Sequence, residues 1–204
     1  MKTKELAIAA AAMLCMSAAP AMTAPSVDPL EEVGLGTSTH IHLGMSVPIP
    51  QGYYELCIAQ PSVCRPRKGQ ADVTRDGQVV LSRKRLQQMV AVNAAVNRSM
   101  RAVEDINRLG VADKWSIGGA SGDCEDFALT KRQRLLAQGW PSSALLIALV
   151  RTSWGQQHAV LLVRTDRGDY ALDNLVQEVK PWRSTSYSWE KVQSPTQMWV
   201  WHNV

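Results

Sequence analysis

Three closely spaced runs near the C-terminal end limit the fold more than any other feature. ALLIALVRT (144–152) is apolar almost throughout, HAVLLVRT (158–165) repeats that character, and YALDNL (170–175) follows. Short continuous apolar runs read as central strands of a sheet, because a strand with one wet face alternates apolar and polar residues. Asp166-Arg167-Gly168-Asp169 is a tight-turn sequence, so the second and third runs pair as antiparallel neighbours.

Helical periodicity precedes these strands. Ser82 is a good N-cap, and Leu86, Met89, Val96, Met100 and Val103 recur at helical spacing, with Asn93 interrupting the apolar stripe. This predicts one helix over 83–109, stopped by Gly110. A second helix is expected from Cys124 to Gln138, ended by Gly139 and Pro141, with Cys124 in its first turn. Residues 25–55 are rich in Pro, Gly, Ser and Thr and read as an irregular surface arm with a short strand near Val47 to Tyr54. MWVWHNV suggests a last strand, and Trp182, Trp189, Trp199 and Trp201 read as packing residues. His40 and His42, two apart in THIHLG, lack a third ligand nearby and are assigned no metal.

The first 24 residues have the form of a secretory signal peptide: Lys2 and Lys4, an apolar run from Leu6 to Met16, then small residues. Cleavage is expected after Ala21 or Ala24, leaving 25–204 as a single domain. The run is too short for a transmembrane anchor, and Cys15 follows Leu14 rather than a small residue, which disfavours a lipoprotein site. Periplasmic or secreted localisation follows. The net charge of +4 is scattered, and its densest run, Arg83-Lys84-Arg85, reads as a solvated helix start rather than a nucleic-acid site.

Four cysteines sharpen the functional reading. Cys15 leaves with the signal. Cys57 and Cys64 lie seven positions apart around a Pro-Ser turn and suit a local disulfide in an oxidising compartment. Cys124 is left odd, which points to intermolecular pairing, a reactive nucleophile, or a small buried core residue. A helix start favours its thiolate, yet Asp123, Glu125 and Asp126 crowd it with charge of the opposing sense. A thiol nucleophile needs a base, and the base needs an acceptor to orient it. His158 is the only histidine between residues 43 and 201, and Asp173 lies in the next strand. With the turn centred near Gly168, ladder pairing brings His158 and Asp173 together only through a bulge or a long loop.

GDCEDFA, QHAVLLV and YALDNL, together with VNAAVN, LCIAQPSVC, VKPW and SYSW, resemble the bacterial transglutaminase-like cysteine peptidases, including their periplasmic LapG-type adhesin proteases. The resemblance spans residues 50–200. It implies an α+β, papain/transglutaminase-like fold, with the nucleophile-bearing helix packed on an antiparallel sheet. It also implies Cys124 as nucleophile, His158 as base, Asp173 as orienting acid, and Ca²⁺ held by Asp123 and Glu125, with Asp126 as a third ligand. A protein substrate such as a repeat adhesin, and an inner-membrane receptor, are the partners it implies. From the residues alone, the acids either cap and complement the helix start or bind calcium. No Gln lies between Gln88 and Cys124 to serve as a second oxyanion donor, which leaves Trp115 or a backbone group of SIGGASG. Two further readings share these residues: transglutaminase-type acyl transfer to an amine, and a non-enzymatic calcium-responsive binding module.

Overall fold

The computed structural model describes residues 39–111 and 113–204, with Asp28 and Glu31; the expected leader, 1–24, lies outside the described residues. The chain first forms β1 (Ser46–Val47), α1 (Gln51–Ala59), α2 (Arg83–Ser99), β2 (Arg101–Ala102), α3 (Asp105–Leu109) and β3 (Ser121–Gly122). Then come α4 (Cys124–Ala137), β4 (Leu145–Arg151), β5 (Gln157–Thr165) and β6 (Gly168–Leu172). The last strands are β7 (Lys180–Pro181), β8 (Ser188–Gln193) and β9 (Trp201–Asn203).

Seven strands make one antiparallel sheet in the order β1-β9-β8-β4-β5-β6-β7. Its centre explains the apolar runs. Successive strand residues point to opposite faces. Leu145, Ile147, Leu161 and Val163 pack with Met89, Phe127 and Leu135 of α2 and α4, whereas Leu146, Ala148, Val150, Val160 and Leu162 pack with Ile41, Trp182 and Val192. Both faces are therefore dry, and each fully buried Leu or Val contributes about 1.5–3 kcal/mol. The fold is the α+β arrangement expected from the sequence, with the cysteine-bearing helix on the sheet.

The expected helix over 83–109 is two helices. α2 ends at Ser99, and Met100 is extended, with φ −115° and ψ 140°. Arg101–Ala102 then pairs in parallel with Ser121–Gly122. Arg101 N–H donates to the Ala120 carbonyl and Val103 N–H to the Gly122 carbonyl, both at 2.9 Å. This pairing takes the backbone groups that a continuous helix would have used, so Met100 and Val103 carry helical spacing without helical structure. In the arm, the strand covers only Ser46–Val47; Tyr54 is helical, because Tyr53, Leu56 and Cys57 bury one face of α1. Cys57 and Cys64 form the expected disulfide, with Cα atoms 5.6 Å apart.

Two cations on α4 are buried with different consequences. Arg132 donates to the carbonyls of Leu145 (3.0 Å) and Val63 (3.1 Å), tying the disulfide loop to the sheet. Lys131 is fully buried and its Nζ has no hydrogen-bond partner among the described residues, with the Phe127 ring 6.0 Å away. Burial pulls the lysine down to about 7, against the attraction of Asp173. The unfolded chain then binds more protons than the folded one between about 7 and 10.5, so this residue costs stability as pH falls through that window. Lys131→Met is expected to raise stability by roughly 2–4 kcal/mol near pH 7, a gain that shrinks toward pH 10.5. Denaturant titrations of both proteins across that range check it, and an equal gain at every pH would contradict it.

Candidate active site

A cleft of about 710 Å³ runs along the end of the sheet where α4 begins, and Cys124 and His158 both line it. Asp123 precedes α4 in extended conformation and makes no side-chain capping bond. It therefore occupies the N-cap position, with its carbonyl accepting the Phe127 N–H, but without the side-chain cap that its type suggests. Gly122 brings β3 so close that a Cβ there would collide with the Asp126 carboxylate.

The thiol of Cys124 donates to Glu125 Oε2 at 3.1 Å. Burial raises its pKa well above the ordinary thiol range, and Glu125 raises it further by charge and hydrogen bond; the Ala159 N–H acts in the opposite direction. Glu125 is itself pushed up to about 8 by burial and by the charge of Asp123, with which it shares a carboxyl contact. In this arrangement the nucleophile candidate is a protonated thiol.

His158 and Asp173 are joined: His158 Nε2 lies 2.8 Å from Asp173 Oδ1, with both side chains buried. Neither the bulge nor the long loop expected from the sequence is needed. The turn is the two residues Asp166-Arg167, and Leu161 pairs with Leu172. Continued by one residue, that register sets Asp173 opposite Val160, two positions from His158 on the same face. Diagonal neighbours of this kind are within reach of long side chains. Burial would raise the Asp173 carboxyl, but the hydrogen bond and charge of His158, with the Tyr187 hydroxyl and Leu175 N–H, hold it below its ordinary value. Asn97 of α2 donates to the Asp173 carbonyl (2.8 Å) and the Val176 carbonyl (3.1 Å), and Asn93 donates to the Gln177 carbonyl (2.8 Å). The polar break in the α2 stripe thus clamps the loop that carries Asp173. With His158 Nε2 engaged, Nδ1 is left for the cleft.

Of the three expected metal ligands, the structure brings Asp123 and Asp126 together and directs Glu125 to the thiol. The third member of the cluster is Asp105: one carboxylate oxygen from each of Asp105, Asp123 and Asp126 lies within 4.8 Å of the others. Asp105 was hidden because the periodicity placed it inside a long helix; the β2–β3 pairing instead sets it at the start of α3, where its N–H donates to Asp123 Oδ2 at 3.3 Å. Burial raises the Asp123 carboxyl, with Asp105 adding to it, and raises Asp126 to about 6 against the Ser116 N–H and Arg108. Arg108 is the cation already present, with Nη2 at 2.5 Å from Asp105 and 2.6 Å from Asp126. Trp115 also lines the cleft, but its indole N–H donates to Asp113 at 2.7 Å. Arg108→Gln leaves two buried carboxylates without their counter-charge and is expected to lower the stability of chelated protein by roughly 2–3 kcal/mol, less than a fully buried pair would cost because the arginine is 20% exposed. Urea titration in EGTA checks this, and unchanged stability would remove Arg108 as the balancing charge.

The start of α4 thus sets Cys124 in the same cleft as His158, which is bonded to Asp173, an arrangement that can place a thiol near a base. Residues 43–204 match the family of bacterial transglutaminase-like cysteine proteinases, BTLCP, and the chain belongs to that family. It is accordingly a cysteine peptidase of the transglutaminase-like type, acting on a protein substrate. Among solved structures it is similar to Legionella pneumophila LapG (calcium-bound), with 24% identity, a TM-score of 0.49, and coverage of 56% of this chain and 67% of that one. It is also similar to Legionella pneumophila LapG (EGTA-treated), with 26% identity, a TM-score of 0.44, and coverage of 52% and 61%. The chain thus spans less than two thirds of the latter protein. No curated protein matches the sequence. Among the described residues, no helix is long and apolar enough to cross a membrane.

Proposed function

We propose that this chain is an exported endopeptidase in which Cys124 is the nucleophile, His158 the base and Asp173 the residue that orients it. The observation that carries this reading is the opening of Cys124 and His158 onto one cleft while His158 is bonded to Asp173. His158 Nδ1 takes the thiol proton, the sulfur attacks the scissile carbonyl, and a free N–H of the first turn of α4 receives the oxyanion. His158 returns the proton to the leaving amine, then activates the water that hydrolyses the thioester. The thiol must first leave Glu125 for His158. Cys124→Ala is expected to abolish cleavage of an adhesin-like polypeptide without lowering the melting temperature by more than a few degrees. Undiminished cleavage would refute the assignment.

Calcium belongs to the same proposal. Asp105, Asp123 and Asp126 offer the hard oxygen set that this ion takes, and Asp123 Oδ1 is buried with no hydrogen-bond partner among the described residues. Glu125, the other expected ligand, touches both Asp123 and the thiol and so couples the cluster to the nucleophile. Bound there, the ion would supply positive charge that offsets the carboxylates and favours the thiolate. Chelation should lower both proteolysis and melting temperature, with calcium restoring them; a protein indifferent to EGTA in both measurements has no such site.

Export is supported by the Cys57–Cys64 disulfide, which fits an oxidising compartment. The proposed substrate is a large repeat adhesin, and the proposed partner an inner-membrane receptor that holds the enzyme near it. Loss of the adhesin's N-terminal region only in cells with active protein is the observation that tests the substrate.

A further inference from the structure

Asp173 does not lie in a regular strand; it follows β6 at the start of a loop, so its carboxylate needs fixing from outside the sheet. Oδ1 is held by His158 Nε2 at 2.8 Å and by Leu175 N–H at 3.0 Å. Oδ2 receives the Tyr187 hydroxyl, and Asp173 is only 2% exposed. The Tyr187 ring also meets the His158 ring edge to face, with centroids 5.7 Å apart and planes at 62°. Behind the carboxylate is a small cavity of about 50 Å³, lined by Asp173, Tyr187, Thr185 and Lys180 among others. A space of that size with polar walls can admit a water molecule.

The segment that delivers Tyr187 is braced. Thr185 donates its hydroxyl to the Trp182 carbonyl at 2.6 Å and accepts Trp189 Nε1–H at 3.2 Å. The Trp182 and Trp189 rings pack edge to face at 5.8 Å. The aromatic residues of VKPW and SYSW therefore build a rigid arm whose tip touches the His–Asp pair.

We propose that Tyr187 is a positioning residue for the reaction: its hydroxyl sets the rotamer of Asp173 so that Oδ1 faces His158, and its ring closes that hydrogen bond off from water. The inference rests on the Cys124–His158–Asp173 reading and adds a fourth residue to it. Without the hydroxyl, Oδ2 loses its fixed donor, the carboxylate turns toward the small cavity and a water admitted there, and His158 loses its fixed tautomer and direction. Tyr187 does not line the cleft that Cys124 and His158 share; it acts through Asp173.

Tyr187→Phe keeps the ring and removes one oxygen. Alkylation of Cys124 by iodoacetamide at pH 7 should slow about tenfold, as expected for losing one hydrogen bond to a charged group. Turnover of p-nitrophenyl acetate should lose kcat by a similar factor with KM within twofold, while the melting temperature falls by no more than several degrees. A Tyr187→Phe protein that matches the parent in alkylation and in kcat, while His158→Ala is inactive, overturns the role of Tyr187 and leaves the Cys–His–Asp reading standing. A His158→Ala protein as reactive as the parent overturns both. The unaltered protein supplies a further check independent of any variant: the Tyr187 hydroxyl proton should give a low-field proton resonance in slow exchange with water, and fast exchange contradicts the proposal.

Discussion

Strand β5 is held between two apolar layers, with Leu161 and Val163 against the helices and Val160 and Leu162 against the opposite layer. A slip of one residue would exchange these sets and turn every side chain over, so the register is tightly specified. His158 begins the same strand, and its orientation follows from that register. The Ala159 N–H beside the thiol and the pairing that sets Asp173 two positions from His158 follow from it as well. The buried hairpin is thus the ruler against which the site is measured, and α4 needs only to pack on it to bring Cys124 to the cleft.

The electrostatics at the start of α4 oppose the chemistry that the helix start would otherwise favour. Unpaired N–H groups there favour an anion. Burial and Glu125 outweigh them and keep the proton on sulfur. Glu125 in turn is raised by burial and Asp123, and Asp123 belongs to the cluster with Asp105 and Asp126. The carboxylates therefore form a chain from the acidic cluster to the Cys124 thiol. Arg108 balances two of them and leaves Asp123 Oδ1 without a hydrogen-bond partner among the described residues. The acids that crowd Cys124 in the sequence thus divide in space: Glu125 meets the thiol, while Asp123 and Asp126 gather with Asp105.

Several polar residues in the core have the site, rather than the fold, as their reason. Asn93 interrupts the apolar stripe of α2, and with Asn97 it holds the carbonyls of the loop after β6. In the sequence, Asn93 reads only as a fault in a helical pattern. Tyr187 lay in an aromatic segment that read as packing, and its hydroxyl turned out to reach Asp173. In each case the residue type was visible but its partner was not, because the partner lies more than ten residues away in the chain.

Local rules sufficed for β4, β5, β6 and the last strand, the second helix with Cys124 in its first turn, the disulfide, and the placing of His158 and Asp173 on the two arms of one hairpin. Each of these depends on periodicity, turn chemistry or short spacing, which a chain carries along its length. Tertiary structure decided the rest. It broke the predicted helix at Met100 by offering Arg101–Ala102 a parallel partner in Ser121–Gly122. That break moved Asp105 from a helix interior to the acidic cluster. It placed the thiol on Glu125 rather than on His158 and supplied Tyr187 to Asp173. The physical reason is common to all of them: backbone pairing and buried charge are settled by which groups meet in space, and spacing along the chain records only which groups are available.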